Sequence, residues 1–195
     1  MRIFSGLVWR HVPHGANPLH VSWILRATGR WNRQGVYGCL YTALEPEGAL
    51  AEYRKYNTLS HGAGRFAARD LVSIRVNRIG PVLDLTEADG RAKAGVDLRT
   101  LTSDEPDDIE TCRTIADWAR SEGYQGLLVP SAAQSGNANL IIYIDGPAGN
   151  IDLDEGLDRR AIDGEGSAEI GAPMKALRGA YPRVGSDVER DADRV

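Results

Sequence analysis

Two uninterrupted apolar runs, Gly126-Leu-Leu-Val129 and Leu140-Ile-Ile-Tyr-Ile144, constrain this chain most. Neither alternates with polar residues, so each reads as a strand covered on both faces, and the polar segment 130–139 joins them. Upstream, Leu71–Arg78 alternates apolar with polar and predicts a half-buried strand, with Pro81–Leu85 as its partner after a break at Ile79-Gly80. Ile3, Phe4, Leu7, Val8 and Trp9 predict an opening strand that ends at Arg10, followed by a loop from His11 to Asn17. Residues 19–26 fit a strand or a helical turn equally. Val36, Tyr37, Leu40, Tyr41 and Thr42 make 35–42 a strand. Glu45-Pro46 opens a helix, because proline has no N–H to leave unpaired in a first turn and acids there suit the dipole. Asp107 and Asp108 cap a second helix that runs to about Glu122, where Gly123 supplies a C-terminal glycine. The sum is an α+β fold of compact mixed and antiparallel sheets with flanking helices: about six strands and two clear helices within residues 1–145.

A chain of 195 residues with 42% hydrophobic content suits one soluble domain. The formal net charge of −4 is unevenly spread. Residues 1–149 hold sixteen basic and sixteen acidic side chains, so the excess acid lies in 150–195. That segment has one aromatic residue, Tyr181, and divides the chain into a body, 1–149, and an acidic, glycine-containing tail, 150–195, expected to be partly disordered or draped on the surface. Residues 1–60 are basic, with seven Lys and Arg against Glu45, Glu47 and Glu52, which suits a phosphate-bearing ligand. No apolar stretch is long enough to cross a bilayer, and the apolar patch at the N-terminus is too short for a signal peptide. Cys39 and Cys112 stand apart in apolar settings, which excludes a disulfide scaffold and a thiolate zinc site and suits a cytoplasmic protein. Basic and aromatic residues do not interleave as on a nucleic-acid stacking platform, so no direct nucleic-acid binding is expected.

No G-x-S-x-G elbow and no phosphate-binding P-loop is present. His11, His14 and His20 lack a local acid or cysteine and read as loop histidines rather than metal ligands. Asn150, Asp152 and Asp154 begin like a calcium loop, but Gly156 comes one residue late and no glutamate closes it. What remains is a set of polar residues at strand ends: Arg10, Arg30 beside Trp31, Tyr41, Glu52 on the first helix, and Ser131 directly after the strand 126–129. Each has a plain structural role open to it. Arg10 can be a strand-end surface residue, Tyr41 a core residue, and Arg30 a salt-bridge partner, even of Glu52. A carboxylate on an otherwise apolar helix face is still unusual, because leaving it unpaired is costly.

The segments VWRHV, GRWNRQGVYGCLYTALEPEGALAE and LLVPSAAQSGNANLII occur in that order, and together they resemble the RES-domain family, the toxin half of RES–Xre toxin–antitoxin pairs. The arginine, glutamate and serine of the family name match Arg30, Glu52 and Ser131. The resemblance covers roughly residues 7–145. Ala27-Thr28 stand where a second glycine is common in the family, and Ala133 where a basic residue is. It implies a fold similar to ADP-ribosyltransferases and a toxin enzyme that breaks the nicotinamide–ribose bond of NAD+, with phosphate, water or a protein side chain as acceptor. A mono-ADP-ribosyltransferase and a non-catalytic NAD-binding module are the alternatives. By the resemblance, Glu52 would stabilise the cationic ribose, and Arg30 with Arg10 would grip phosphate. Tyr41 would offer a ring to nicotinamide or adenine, Ser131 would orient ribose or amide, and Trp31 would line the pocket. Arg10 or Arg33 could seat inorganic phosphate as co-substrate. No resident cofactor or metal is implied; the partners would be NAD+ and an Xre-like antitoxin.

Overall fold

In the computed structural model, residues 2–61, 68–144, 152–163 and 168 are described. The elements run β1 (Arg2–Pro13), α1 (Val21–Arg26), β2 (Cys39–Ala43), α2 (Pro46–His61), β3 (Arg69–Asp84), α3 (Ala88–Ala94), α4 (Leu98–Thr102), α5 (Pro106–Ser121), β4 (Gly126–Pro130), β5 (Ala138–Tyr143) and β6 (Asp152–Ile162). The strands form one sheet in the order β1-β2-β5-β4-β3-β6, and β1 also pairs with β3, so five of them close into a ring. Among the described strands only β3–β4 is parallel. The α+β class expected from the sequence is the class observed.

The two apolar runs are double-faced for a visible reason. Leu127, Val129, Ile141 and Tyr143 pack under Cys112, Ile115, Ala116 and Ala119 of α5. Leu128, Leu140 and Ile142, pointing the other way, meet Val8, Ile74, Val76 and Ile79 of the bent β1–β3 layer. Truncating Leu128 or Leu140 to alanine would cost about 2–5 kcal/mol. A third cluster, Trp9, Ala43, Ala49, Leu50, Tyr53 and Leu71, seats α2 against the seam where β1 meets β2.

Several elements differ from the sequence expectation. β1 runs on to Pro13 because β3 pairs with it as far as Pro13↔Arg69, so no loop begins at His11. Residues 19–26 resolve to the short helix α1, and the strand expected over 35–42 starts only at Cys39, after a turn with Gly35 in the left-handed region. Residues 71–85 do not make two paired strands. β3 passes straight through Gly80-Pro81, at the point where its edge changes partner from β6, last paired at Arg78, to β4, first paired at Val82. A proline there removes no ladder bond on that edge. Pro106 begins α5, and Asp107 and Asp108 lie in its first turn while Glu105 holds the cap position. Residues 152–162, beyond the boundary drawn at 149, form β6 on the open edge of β3. Apart from residue 163 and Ala168, the chain after β6 lies outside the described residues.

Candidate functional site

Glu52 owes its position to the start of α2. Pro46 occupies the first turn, and the inward residues Ala49, Leu50 and Tyr53 are locked in the third core cluster. That packing brings Glu52 against the loop between β4 and β5. Its Oε1 accepts hydrogen bonds from Ser131 Oγ at 2.8 Å and from Asn139 Nδ2 at 2.7 Å. Its Oε2 has no partner among the described residues. One carboxylate oxygen is thus clamped and the other is unengaged among the described residues.

The Ser131 hydroxyl is fully used. Its proton goes to Glu52, and its lone pairs accept from Ala133 N–H at 3.1 Å and Gln134 N–H at 3.2 Å. Ser131 is buried, and its own N–H donates to Asn137 O at 2.9 Å, closing the loop. Asn139, which the sequence reading did not single out, is the second residue of β5, in register with Ala43 and Val129. A carboxylate can only accept, so the amide must turn its NH2 to Glu52. That leaves Asn139 Oδ1 buried with no donor. The only sequence signal for it was a position just before an apolar run inside the segment that also carries Ser131.

Arg30 does not pair with Glu52. Its Nη2 meets Asp104 Oδ1 at 2.7 Å and its Nη1 donates to the Ser103 carbonyl. The same Asp104 oxygen takes Lys55 Nζ at 2.7 Å, and Lys55 also donates to Ala132 O at 3.0 Å. Lys55 lies one turn beyond Glu52 on α2, so the Arg30 turn and the Ser131 loop are tied through Asp104 and Lys55.

Tyr41 spends its hydroxyl on the 29–32 turn, accepting from Trp31 N–H and donating to Asn32 Oδ1, both at 2.9 Å. Burial, and secondarily nearby Cys39, hold this phenol well above its ordinary pKa, so it stays protonated. Gly29 is required here, since a Cβ would collide with the Tyr41 hydroxyl and stand 2.8 Å from its Cζ. Trp31 is 2% exposed and belongs to the α5 core cluster, not to the cavity wall.

The ring of Tyr41 instead lines a cavity of about 220 Å³, together with Arg10, Arg69, His20, Cys39 and Ile24. Arg10 donates through Nη1 to Pro18 O at 2.9 Å. Burial, and then the charge of Arg69, push its pKa down to about 10, which still leaves it cationic at neutral pH. His11, its ring tilted against those of Tyr53 and Tyr56, is held down to about 3 by burial and by the two arginines. It is therefore neutral, and its Nδ1 accepts from Arg69 at 3.2 Å. Arg69 was not singled out from the sequence. Arg33 lies elsewhere: Glu110 at 2.5 Å and Asp117 at 3.0 Å bracket it and raise its pKa. His14 bonds to buried Asp70 at 2.8 Å.

A family model described as RES domain matches residues 7–159. No curated protein matches the chain. Among solved structures, a chain of the M. tuberculosis MbcT–MbcA toxin–antitoxin complex superposes with a TM-score of 0.67 at 22% identity, over 90% of each chain. At that identity the likeness is one of fold.

Proposed function

The chain belongs to the RES domain family, and from that premise we propose that it is a toxin enzyme that cleaves the nicotinamide–ribose bond of NAD+. The observation that carries the reading is Glu52, one oxygen clamped by Ser131 and Asn139 and the other unengaged. Breaking the glycosidic bond sends its electron pair to the ring nitrogen, which leaves as neutral nicotinamide, and positive charge develops on the ribose. A fixed carboxylate beside that centre stabilises the charge, and a donor set already in place costs no reorganisation during reaction. Water or phosphate then bonds to the anomeric carbon and loses a proton, for which the unengaged Oε2 is the nearest base.

Within this reading Ser131 positions Glu52 rather than touching substrate, because its hydroxyl has no bond left to give. Asn139 Oδ1, buried and without a donor, suits a ribose hydroxyl or an amide N–H. Arg30 and Lys55 hold the Ser131 loop through Asp104, Arg10 faces the phosphates, and Tyr41 walls the pocket. A protein antitoxin that blocks the cleft is the partner this family membership supports, in keeping with the toxin–antitoxin complex of the structural neighbour. An NAD+ substrate places the action in the cytoplasm.

The test is NAD+ consumption by purified protein, with and without inorganic phosphate, for wild type and Glu52→Gln. Nicotinamide release by wild type and not by the variant is the expected result. The mass of the second product then names the acceptor: ADP-ribose for water, its 1-phosphate for phosphate, a modified protein for transfer. Intact NAD+ with both proteins would sink the reading, and stoichiometric binding without turnover would replace it with a binding module.

A further inference from the structure

Gly29 meets one demand of the fold and creates another. The Tyr41 hydroxyl fills the place of its Cβ, so only glycine fits there. Glycine, however, has the most conformational freedom to lose and holds a turn least firmly by itself. At the other side of the turn Asn32 is buried and well tied, through Nδ2 to Ala27 O at 2.7 Å and through Oδ1 to Tyr41. The glycine side closes weakly, since the Gly29 N–H reaches Asn32 O only at 3.3 Å.

A firmer hold comes from α5. Arg113 donates through Nε to the Gly29 carbonyl at 2.9 Å, and its Nη1 lies 3.5 Å from Glu110 Oε2, one helical turn earlier. Glu110, Arg113 and Asp117 follow one another at i, i+3 and i+7, a polar stripe beside the buried one of Cys112, Ile115, Ala116 and Ala119. Asp117 takes the far end of the same segment, from Tyr37 Oη at 2.8 Å and Arg33 Nε at 3.0 Å. The segment 29–37 is thus pinned to α5 at both ends, and Arg113 is the pin at the glycine.

That hold reaches the cavity. Trp31 N–H and Asn32 Oδ1, which fix the Tyr41 hydroxyl, ride on this turn, and Tyr41 lines the cavity. A turn that rocks at Gly29 lets the ring tilt. Glu52 is held instead by Ser131 and Asn139, and takes no hydrogen bond from the turn among the described residues.

We propose that Arg113 is a positioning residue for the substrate cavity: by holding the Gly29 carbonyl it sets the 29–32 turn and, with it, the Tyr41 ring. The kinetic consequence rests on the reading above, but the hold on the turn is tested without any turnover.

Amide hydrogen exchange of the full chain is compared for wild type, Arg113→Met, Arg113→Lys and Arg99→Met. Arg99, exposed on α4 and paired with Asp108, is the control. In Arg113→Met the Gly29 and Trp31 amides should exchange about tenfold faster or more, while those of β4 and β5 keep their wild-type rates. Arg113→Lys should fall between the two, because it keeps a charge and a donor without the fixed guanidinium plane. Arg99→Met should match wild type. In Arg113→Ala, guanidinium at about 20 mM, far below a denaturing concentration, should slow those two amides again, and sodium chloride should not.

The kinetic arm separates positioning from plain stability. Arg113→Met should raise KM for NAD+ about tenfold and change kcat less, since the Glu52 clamp is untouched; guanidinium should lower KM again in Arg113→Ala. Should Arg113→Met fail to fold, Arg113→Lys is read for the same faster exchange and higher KM. Wild-type exchange at Gly29 and Trp31 in Arg113→Met overturns the proposal, and so does faster exchange throughout the sheet. Faster exchange at those two amides while wild type leaves NAD+ intact keeps the hold and removes the reaction. Cleavage of NAD+ with unchanged KM in Arg113→Met removes the positioning role and keeps the reaction.

Discussion

The Glu52 corner and the Arg10 cavity are both polar sites set at the edge of a tight apolar core, but their hydrogen-bond accounting runs in opposite directions. At Glu52 most groups are satisfied from within: Ser131 is saturated, and Lys55, Asp104 and Arg30 hold one another. Two arginines that line the cavity carry buried Nε groups without a partner, and the histidine behind Arg69 is kept neutral. The first arrangement fixes a group in place, and the second leaves donors unmatched. The contrast teaches that a carboxylate fixed by its own neighbours and a pair of arginines short of partners carry different structural signatures.

The contrast can be broken most severely at Glu52. Glu52→Gln keeps the shape and the bond from Asn139 but removes the charge, so nicotinamide release should fall by about 10²–10³-fold, with little change in melting temperature. Next comes acid. His11 titrates at about 3 in the fold against an ordinary 6.5, so its contribution to stability is complete above about pH 6.5 and is lost as pH falls towards 3. Denaturant midpoints should show about 3 kcal/mol of that loss by pH 4, a drop that His11→Gln should abolish. Asn139→Ala removes one of the two clamps while the other stays; kcat should fall about tenfold with KM changing less. The smallest effect belongs to the tie between turn and loop. Lys55→Met should lower kcat about threefold with little change in KM for NAD+, since among the described residues Lys55 reaches only Asp104 and Ala132.

The parts of the fold that announced themselves were those whose pattern is local. Leu127 to Val129 and Leu140 to Tyr143 are apolar throughout because two different layers cover them. α2 and α5 carry both a proline start and a helical period. β6 did not announce itself, since its many acids suit solvent and only pairing with β3 makes it a strand. α3 buries none of its residues, so no period could mark it. Gly80-Pro81 reads as a break because a sequence cannot show where a strand changes partners. At the site, Glu52 and Ser131 were legible through their motif segments, and the structure brings them into contact. Asn139 and Arg69 were not, because what marks each is an atom left unbonded after folding. Arg30 and Trp31 lie close by, but the first is occupied by Asp104 and the second is sealed in the core.

The closure of the ring has a consequence for timing. β1 is bound to β3 along its whole length, but it touches β2 through the single bridge Trp9↔Ala43. Amide protons along the long ladder should exchange with solvent slowly, and those at the bridge much faster, because parting that seam breaks few bonds. Arg10 adjoins one side of the seam, and Tyr41 stands two residues from the other. A cavity walled in this way can breathe at its weakest stitch while the carboxylate, anchored through α2 and the β4–β5 loop, stays still.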